Sequence, residues 1–185
     1  MSEVLGLIVR DVDDIQLIYK QEFHNYNTII FNVFDIIFFL YFFYIYYHLS
    51  KYPITKKIIK YGSVFFVITC IVNLFYQDFF TEPQNFGIIA GSIILLYAAI
   101  IYLYKLITIK HKLPLHTNLL FWISVGILIF YTCYPITMYI LSFNYELFTA
   151  YNLSKYHYAT IGIFYSCIIL GLLFMKRLRI ANETI

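Results

Sequence analysis

Apolar residues in this chain gather into five long blocks, at 28–49, 58–77, 86–107, 119–141 and 156–175, separated by short runs that hold most of the charge. A helix needs roughly 20 apolar residues to cross the ~30 Å hydrocarbon core of a bilayer, and each block meets that length. Lipid offers no water to backbone amides and carbonyls, so a spanning block satisfies them internally, as a helix. The pattern therefore predicts an all-α, polytopic transmembrane helix bundle of five spans. An N-terminal segment at 1–27 and a short tail at 176–185 flank it.

The flanks and loops refine this picture. Residues 1–27 are too charged to span, yet Leu5, Ile8, Val9, Val12, Ile15 and Ile18 recur at helical spacing, with Arg10, Asp11, Asp13, Asp14 and Lys20 opposite them. This reads as an amphipathic helix. Its acidic polar face fits a seat on the bundle or on a partner better than a lipid surface, where basic faces prevail. The run from Leu40 to His48 holds four tyrosines, the composition of an interfacial aromatic belt. Pro135 falls inside the fourth block and predicts a kink near 132–134. The loop at 142–155 is rich in Phe, Tyr and Leu and is expected to lie along the interface. Gly87 and Gly91, and Ala159, Gly162 and Ser166, are small residues at spacings that let helices approach closely. Packing within the chain is the first expectation for them, and an oligomer interface the second.

Charge sets an expected orientation. Ten of the 13 Lys and Arg residues fall on one side of the predicted spans: Lys51, Lys56, Lys57 and Lys60, then Lys105, Lys110 and Lys112, then Lys176, Arg177 and Arg179. Arg10, Lys20 and Lys155 fall on the other. Basic residues in short loops stay cytoplasmic, which puts the N-terminus outside and the C-terminus in the cytoplasm of a cell whose inner (plasma) membrane holds the protein. Topology thus accounts for the basic clusters, and nucleic acid is not an expected partner. Apolar residues at 62% and charged residues at 12% fit the same class. Cys70, Cys133 and Cys167 all lie inside spans and read as small packing residues. The N-terminus lacks the basic region, apolar core and small-residue cleavage site of a secretory signal.

Candidate chemistry concentrates in one layer. Asp35 is the only ionisable residue well inside a span. Intramembrane acids cost about 2.5–3.5 kcal/mol on insertion scales, so they face a bundle interior or cavity and mark functional sites. At 1.5 Å per residue Asp35 lies ~10 Å into its helix. Asn32, Asn73, Gln77, Ser92, Thr132, Tyr134, His157 and Thr160 fall at similar depth in the outer half of the bundle. Three uses compete for such a layer: hydrogen bonds that specify packing, an outward-facing pocket for a small ligand, or part of an ion or proton path. His157 is the titratable group nearest in height to Asp35, and as a pair the two would form a pH-sensitive switch. The inner half is plainer, which counts against a pore within one subunit. No HExxH, GxSxG or P-loop pattern is present. The chain therefore offers no expected catalytic residue, metal ligand or cofactor.

The run Leu120-Phe121-Trp122-Ile123-Ser124-Val125-Gly126, following a basic loop with Pro114, and the asparagine-containing helix entry from Asn27 to Asp35, resemble a loose group of multi-span membrane proteins of Bacteroidota. That group includes the membrane portions of sensor histidine kinases. The resemblance implies membrane sensing or signal relay, and with no kinase domain after Arg179 the output would pass to a separate cytoplasmic partner. The leading expectation is a non-catalytic sensor or partner-binding module. The alternative is a small channel-forming or membrane-permeabilising effector that works as a homo-oligomer.

Overall fold

The structure is a computed structural model that describes residues 27–108 and 115–175. The amphipathic segment expected over 1–27 lies outside the described residues except for Asn27, as do the tail at 176–185 and His111 and Pro114 of the third loop. Six α-helices run in order among these residues: α1 Asn27–Leu49, α2 Pro53–Asn73, α3 Asn85–Thr108, α4 Leu119–Phe143, α5 Tyr145–Ala150 and α6 Leu153–Phe174. A short 3₁₀ turn at Leu115–Thr117 precedes α4, and no strand occurs among the described residues.

Local chemistry marks the helix ends. Pro53 opens α2, where its fixed φ suits a first turn and its missing N–H costs nothing. The other end of α2 tightens into i→i+3 bonds, from the Leu74 amide to the Ile71 carbonyl and from Phe75 to Val72. Asn118 caps α4 by accepting from the Leu120 amide at 3.0 Å. Asn144 ends α4 and caps α5 by accepting from the Leu147 amide at 3.0 Å. Asn152 takes a left-handed conformation, φ 49°, and reverses the chain into α6. The helix interiors are rich in Ile, Phe and Tyr, which are middling helix formers in water. Their helicity comes from burial of the backbone in an apolar setting rather than from propensity.

α1, α3, α4 and α6 are each long and apolar enough to cross a membrane. α2 is a separate case. Its helix starts and ends earlier than the apolar block at 58–77, and so takes in Lys56 and Lys57 besides Lys60. Its lysine-free part, 61–73, measures about 20 Å at 1.5 Å per residue. α2 is therefore helical as expected and 21 residues long, but it carries more charge, and a shorter uninterrupted apolar stretch, than the four helices long and apolar enough to span.

Consecutive helices are neighbours. α4 packs most extensively on α6 and then on α3, α3 packs on α2, and α1 lies against α2 and α3. Aromatic rings fill the centre. Phe39 touches Phe66 at a centroid distance of 5.2 Å and Tyr131 at 5.0 Å, and Phe130 stacks on Phe164 at 5.6 Å. Two glycines make room for these rings. A Cβ on Gly91 would stand 2.9 Å from three atoms of Phe39, and one on Gly126 would stand 2.9 Å from Phe164. α4 runs unbroken through Pro135, where the Tyr131 carbonyl lacks an amide donor from the proline. The outer surface is apolar on every long helix, with Ile37, Val64, Ile93, Ile136 and Leu173 all exposed. That is the surface a bilayer covers, and far more apolar area than a soluble monomer leaves uncovered.

Candidate functional site

The antiparallel arrangement sorts the polar residues into two ends. At one end meet the start of α1, the end of α2, the start of α3, the end of α4 and the start of α6. This amide-rich end contains most of the layer read from the sequence, in two connected parts.

The first part is a latch made of amides. Asn32, 3% exposed on α1, donates from Nδ2 to the Phe79 carbonyl at 2.7 Å and to the Glu82 carbonyl at 2.9 Å. Its Oδ1 accepts from the Gln84 amide at 3.3 Å. One side chain thus fixes the α2–α3 loop to α1. Asn73 Nδ2 donates to Gln84 Oε1 at 2.8 Å, and Gln77 Oε1 accepts from the Asn85 amide at 3.0 Å. Asn85 Nδ2 then reaches Ser142 Oγ on α4 at 2.9 Å. Asp78 shapes the loop itself, accepting from the Phe80 amide and the Thr81 hydroxyl.

The second part centres on Asp35. Its Oδ2 accepts from the Tyr134 hydroxyl at 2.8 Å, joining α1 to α4. The Tyr134 ring stacks on the His157 ring at 5.7 Å, and Thr137 Oγ1 lies 3.5 Å from His157 Nδ1. No hydrogen bond joins Asp35 to His157 among the described residues. Tyr134 stands between them, with its hydroxyl on one and its ring on the other. A cavity of about 10 Å³ adjoins Asp35, lined among others by Asn32, Cys70, Gln84 and Gly87. Such a space holds a single water. It is far smaller than the ~300 Å³ at which organic ligand sites begin. Three buried polar atoms nearby, Asn73 Oδ1, Asn85 Oδ1 and Ser92 Oγ, have no partner among the described residues.

Other expected members stand apart. Thr132 is exposed and bonds the Leu128 carbonyl of its own helix at 2.6 Å. Thr160 likewise bonds the His157 carbonyl of its own helix. Gly87 and Gly91 lie in helix contacts, against Cys70 and Phe39. Ala159, Gly162 and Ser166 form an exposed face of α6, and a Cβ on Gly162 would meet nothing within 4 Å. The close approach of α6 to α4 is made instead by Gly171, against Leu119 and Trp122.

The opposite end is less plain than the sequence implied. Tyr46, in the tyrosine run read as an interfacial belt, is 2% exposed and shares a 2.7 Å hydrogen bond with Ser124 of α4. Tyr102 accepts from Asn118 at 3.0 Å beside it. Gln84, Asn85, Ser142, Ser124 and Tyr46 are thus working polar residues that the sequence reading passed over. For Gln84 and Asn85 the signal was adjacency to Pro83: short polar side chains at a helix start serve the helix end, not the water. No family model matches the chain, and neither does any curated protein or solved structure.

Proposed function

We propose that this protein is a non-catalytic, multi-pass membrane module that senses or relays a signal, with five spans, its N-terminus outside and its C-terminus in the cytoplasm. The observation that carries the reading is the Asp35 carboxyl, embedded in α1 and bonded to Tyr134 of α4. An acid at this depth is costly, and apolar residues of similar size would pack as well. A sensing role gives the bond a purpose: it couples α1 to α4 through a contact that protonation or a bound water alters. Resemblance to the membrane portions of sensor kinases points the same way. The lysine-rich end, with Lys51, Lys56, Lys57, Lys60 and Lys105, is then the cytoplasmic end that meets a partner.

Hydrogen exchange on the full chain in nanodiscs tests the relay. Asp35→Asn should change exchange at amides 56–60, at the far end of α2, by about tenfold, about 1.4 kcal/mol of local opening free energy. Uniform acceleration through all helices would mean that Asp35 serves packing alone. A second reading has its own observation. The exposed face of Ala159, Gly162 and Ser166 is of the kind that seats another helix, which favours a homo-oligomeric channel or permeabilising effector. A discrete ring of three or more subunits by native mass spectrometry, with conductance sensitive to Asp35→Asn, would support that reading over the first.

A further inference from the structure

The lysine-rich end carries positive charge that nothing in the described chain neutralises. α2 begins with Pro53, has no acidic residue in its first turn, and receives no side-chain cap from Tyr52. Lys56, Lys57 and Lys60 occupy its first two turns, with Lys56 and Lys60 one turn apart. Helix N-termini bear partial positive charge, and like charges at i,i+4 repel, so this placement is doubly unfavourable without an anion. The described acids lie elsewhere: Asp35, Asp78, Glu82 and Glu146 all belong to the opposite, amide-rich half. No lysine here forms an ion pair among the described residues.

Three further groups converge on the same end. Lys105, in the last turn of α3, places its Nζ 3.6 Å from the centroid of the Tyr52 ring. That ammonium is buried and has no hydrogen-bond acceptor among the described residues. Cation–π contact offsets part of its desolvation but supplies no counter-charge. Ser50 Oγ, two residues before Tyr52, is likewise buried without a partner among the described residues. Thr55, 7% exposed in the first turn of α2, makes no side-chain hydrogen bond among the described residues. The amides of Ile54 and Thr55 have no intrahelical acceptor, as at any helix start. Lys56 sits above the Tyr47 ring at 5.4 Å and closes the other side.

We infer that this end is a binding site for the phosphodiester of an anionic phospholipid headgroup, held by the α2 N-terminus with Lys56, Lys60, Lys105 and Thr55. The level is right for a lipid. α1 ends at Leu49 and α3 at Thr108, both helices are long enough to span, and Lys51 and Lys105 therefore stand where headgroups are. The chemistry is right as well: free amides, hydroxyls and ammonium groups are all donors, and phosphate oxygens are all acceptors. A zwitterionic choline headgroup brings its own cation and so adds no net negative charge. The inference rests on the membrane reading but not on the sensing one.

Native mass spectrometry of the full chain, released from mixed micelles of phosphatidylglycerol and phosphatidylcholine, reads the preference directly. The wild-type chain should retain phosphatidylglycerol selectively. Lys56→Gln with Lys60→Gln should weaken retention by about 25-fold, from about fivefold per basic residue near a lipid surface. Lys105→Gln should weaken it at least as much as either of those substitutions alone, and the near-isosteric Thr55→Val should weaken it while keeping the fold. Lys155→Gln, at the other end, should change nothing. Equal retention of both lipids overturns the site, and so does an equal loss on Lys155→Gln. Full preference in both Lys105→Gln and Thr55→Val would reduce it to a diffuse basic surface. Displacement of the lipid by excess inorganic phosphate would reassign it to a soluble anion.

Discussion

Among the described residues Asp35 has one hydrogen-bond donor where a carboxyl accepts several, and that donor is Tyr134. Interhelical hydrogen bonds in membrane proteins average about 0.6 kcal/mol and reach about 1.7. Tyr134→Phe should therefore destabilise the bundle by about 0.6–1.7 kcal/mol, read by unfolding in a denaturing-detergent titration. Asp35→Asn retains an acceptor for the tyrosine and should cost less. A larger loss for Asp35→Asn would mean that the carboxylate charge has a partner of its own. The two glycine sites differ in sign. Gly91→Ala pushes a methyl to 2.9 Å from Phe39, a rigid ring between helices, and should cost about 1–3 kcal/mol. Gly162→Ala meets open space and should gain up to ~1 kcal/mol from helix propensity. If Gly162→Ala instead destabilises, and does so only at concentrations where an oligomer forms, its face is an interface between copies.

The elements were legible to differing depth, and the reasons are physical. α1, α3, α4 and α6 follow directly from apolar length, because nothing else satisfies a backbone in lipid. Asn32 and Asp35 stood out as polar residues in an apolar block. Gln84, Asn85 and Ser142 did not, because a polar residue beside a loop looks solvated until its partner across the bundle is known. Tyr46 was hidden among seven aromatic neighbours, and only the facing Ser124 distinguishes it from the belt. The small residues of α6 mislead for a similar reason: spacing shows that they share a face, not which helix that face meets. Asn32 holds the α2–α3 loop to α1 through three hydrogen bonds. Asn32→Leu strands the Gln84 amide and the Phe79 carbonyl, and leaves the Glu82 carbonyl only the 3.5 Å bond from Gln84 Nε2. Each buried unsatisfied group costs about 1–3 kcal/mol unless water reaches it, and here the loop opens to admit water. Exchange at the Gln84 and Asn85 amides should then rise by more than tenfold while the α4–α6 amides keep their protection. Unchanged exchange at Gln84 would show that the loop is held by Asp78 and Asn73 instead.

At the scale of the molecule, the open matter is whether α2 crosses. Its lysine-free length of about 20 Å falls ~10 Å short of the hydrocarbon core, and this argues for a helix that dips in from one side. Its surroundings argue the other way. α2 packs lengthwise on α3, which is long enough to span, and it exposes Val64, Phe65, Ile68 and Ile71 along the same outer face. No described residue covers those side chains. Lys60 extends its ammonium toward the headgroups, and local thinning costs fractions of a kcal/mol per Å, so the shortfall is small beside the burial of that face. We therefore expect α2 to cross, which places Lys57 and Thr81 on opposite sides. Cysteines introduced singly at these exposed positions, with the three native cysteines replaced, read this with a membrane-impermeant maleimide. Thr81→Cys should label from outside intact cells, and Lys57→Cys only after the membrane is opened. Labelling of both from one side would make α2 re-entrant and leave four spans. Labelling of Lys57→Cys alone from outside would invert the molecule, and the lysine-rich end would then face away from the anionic cytoplasmic leaflet that its charge is built to meet.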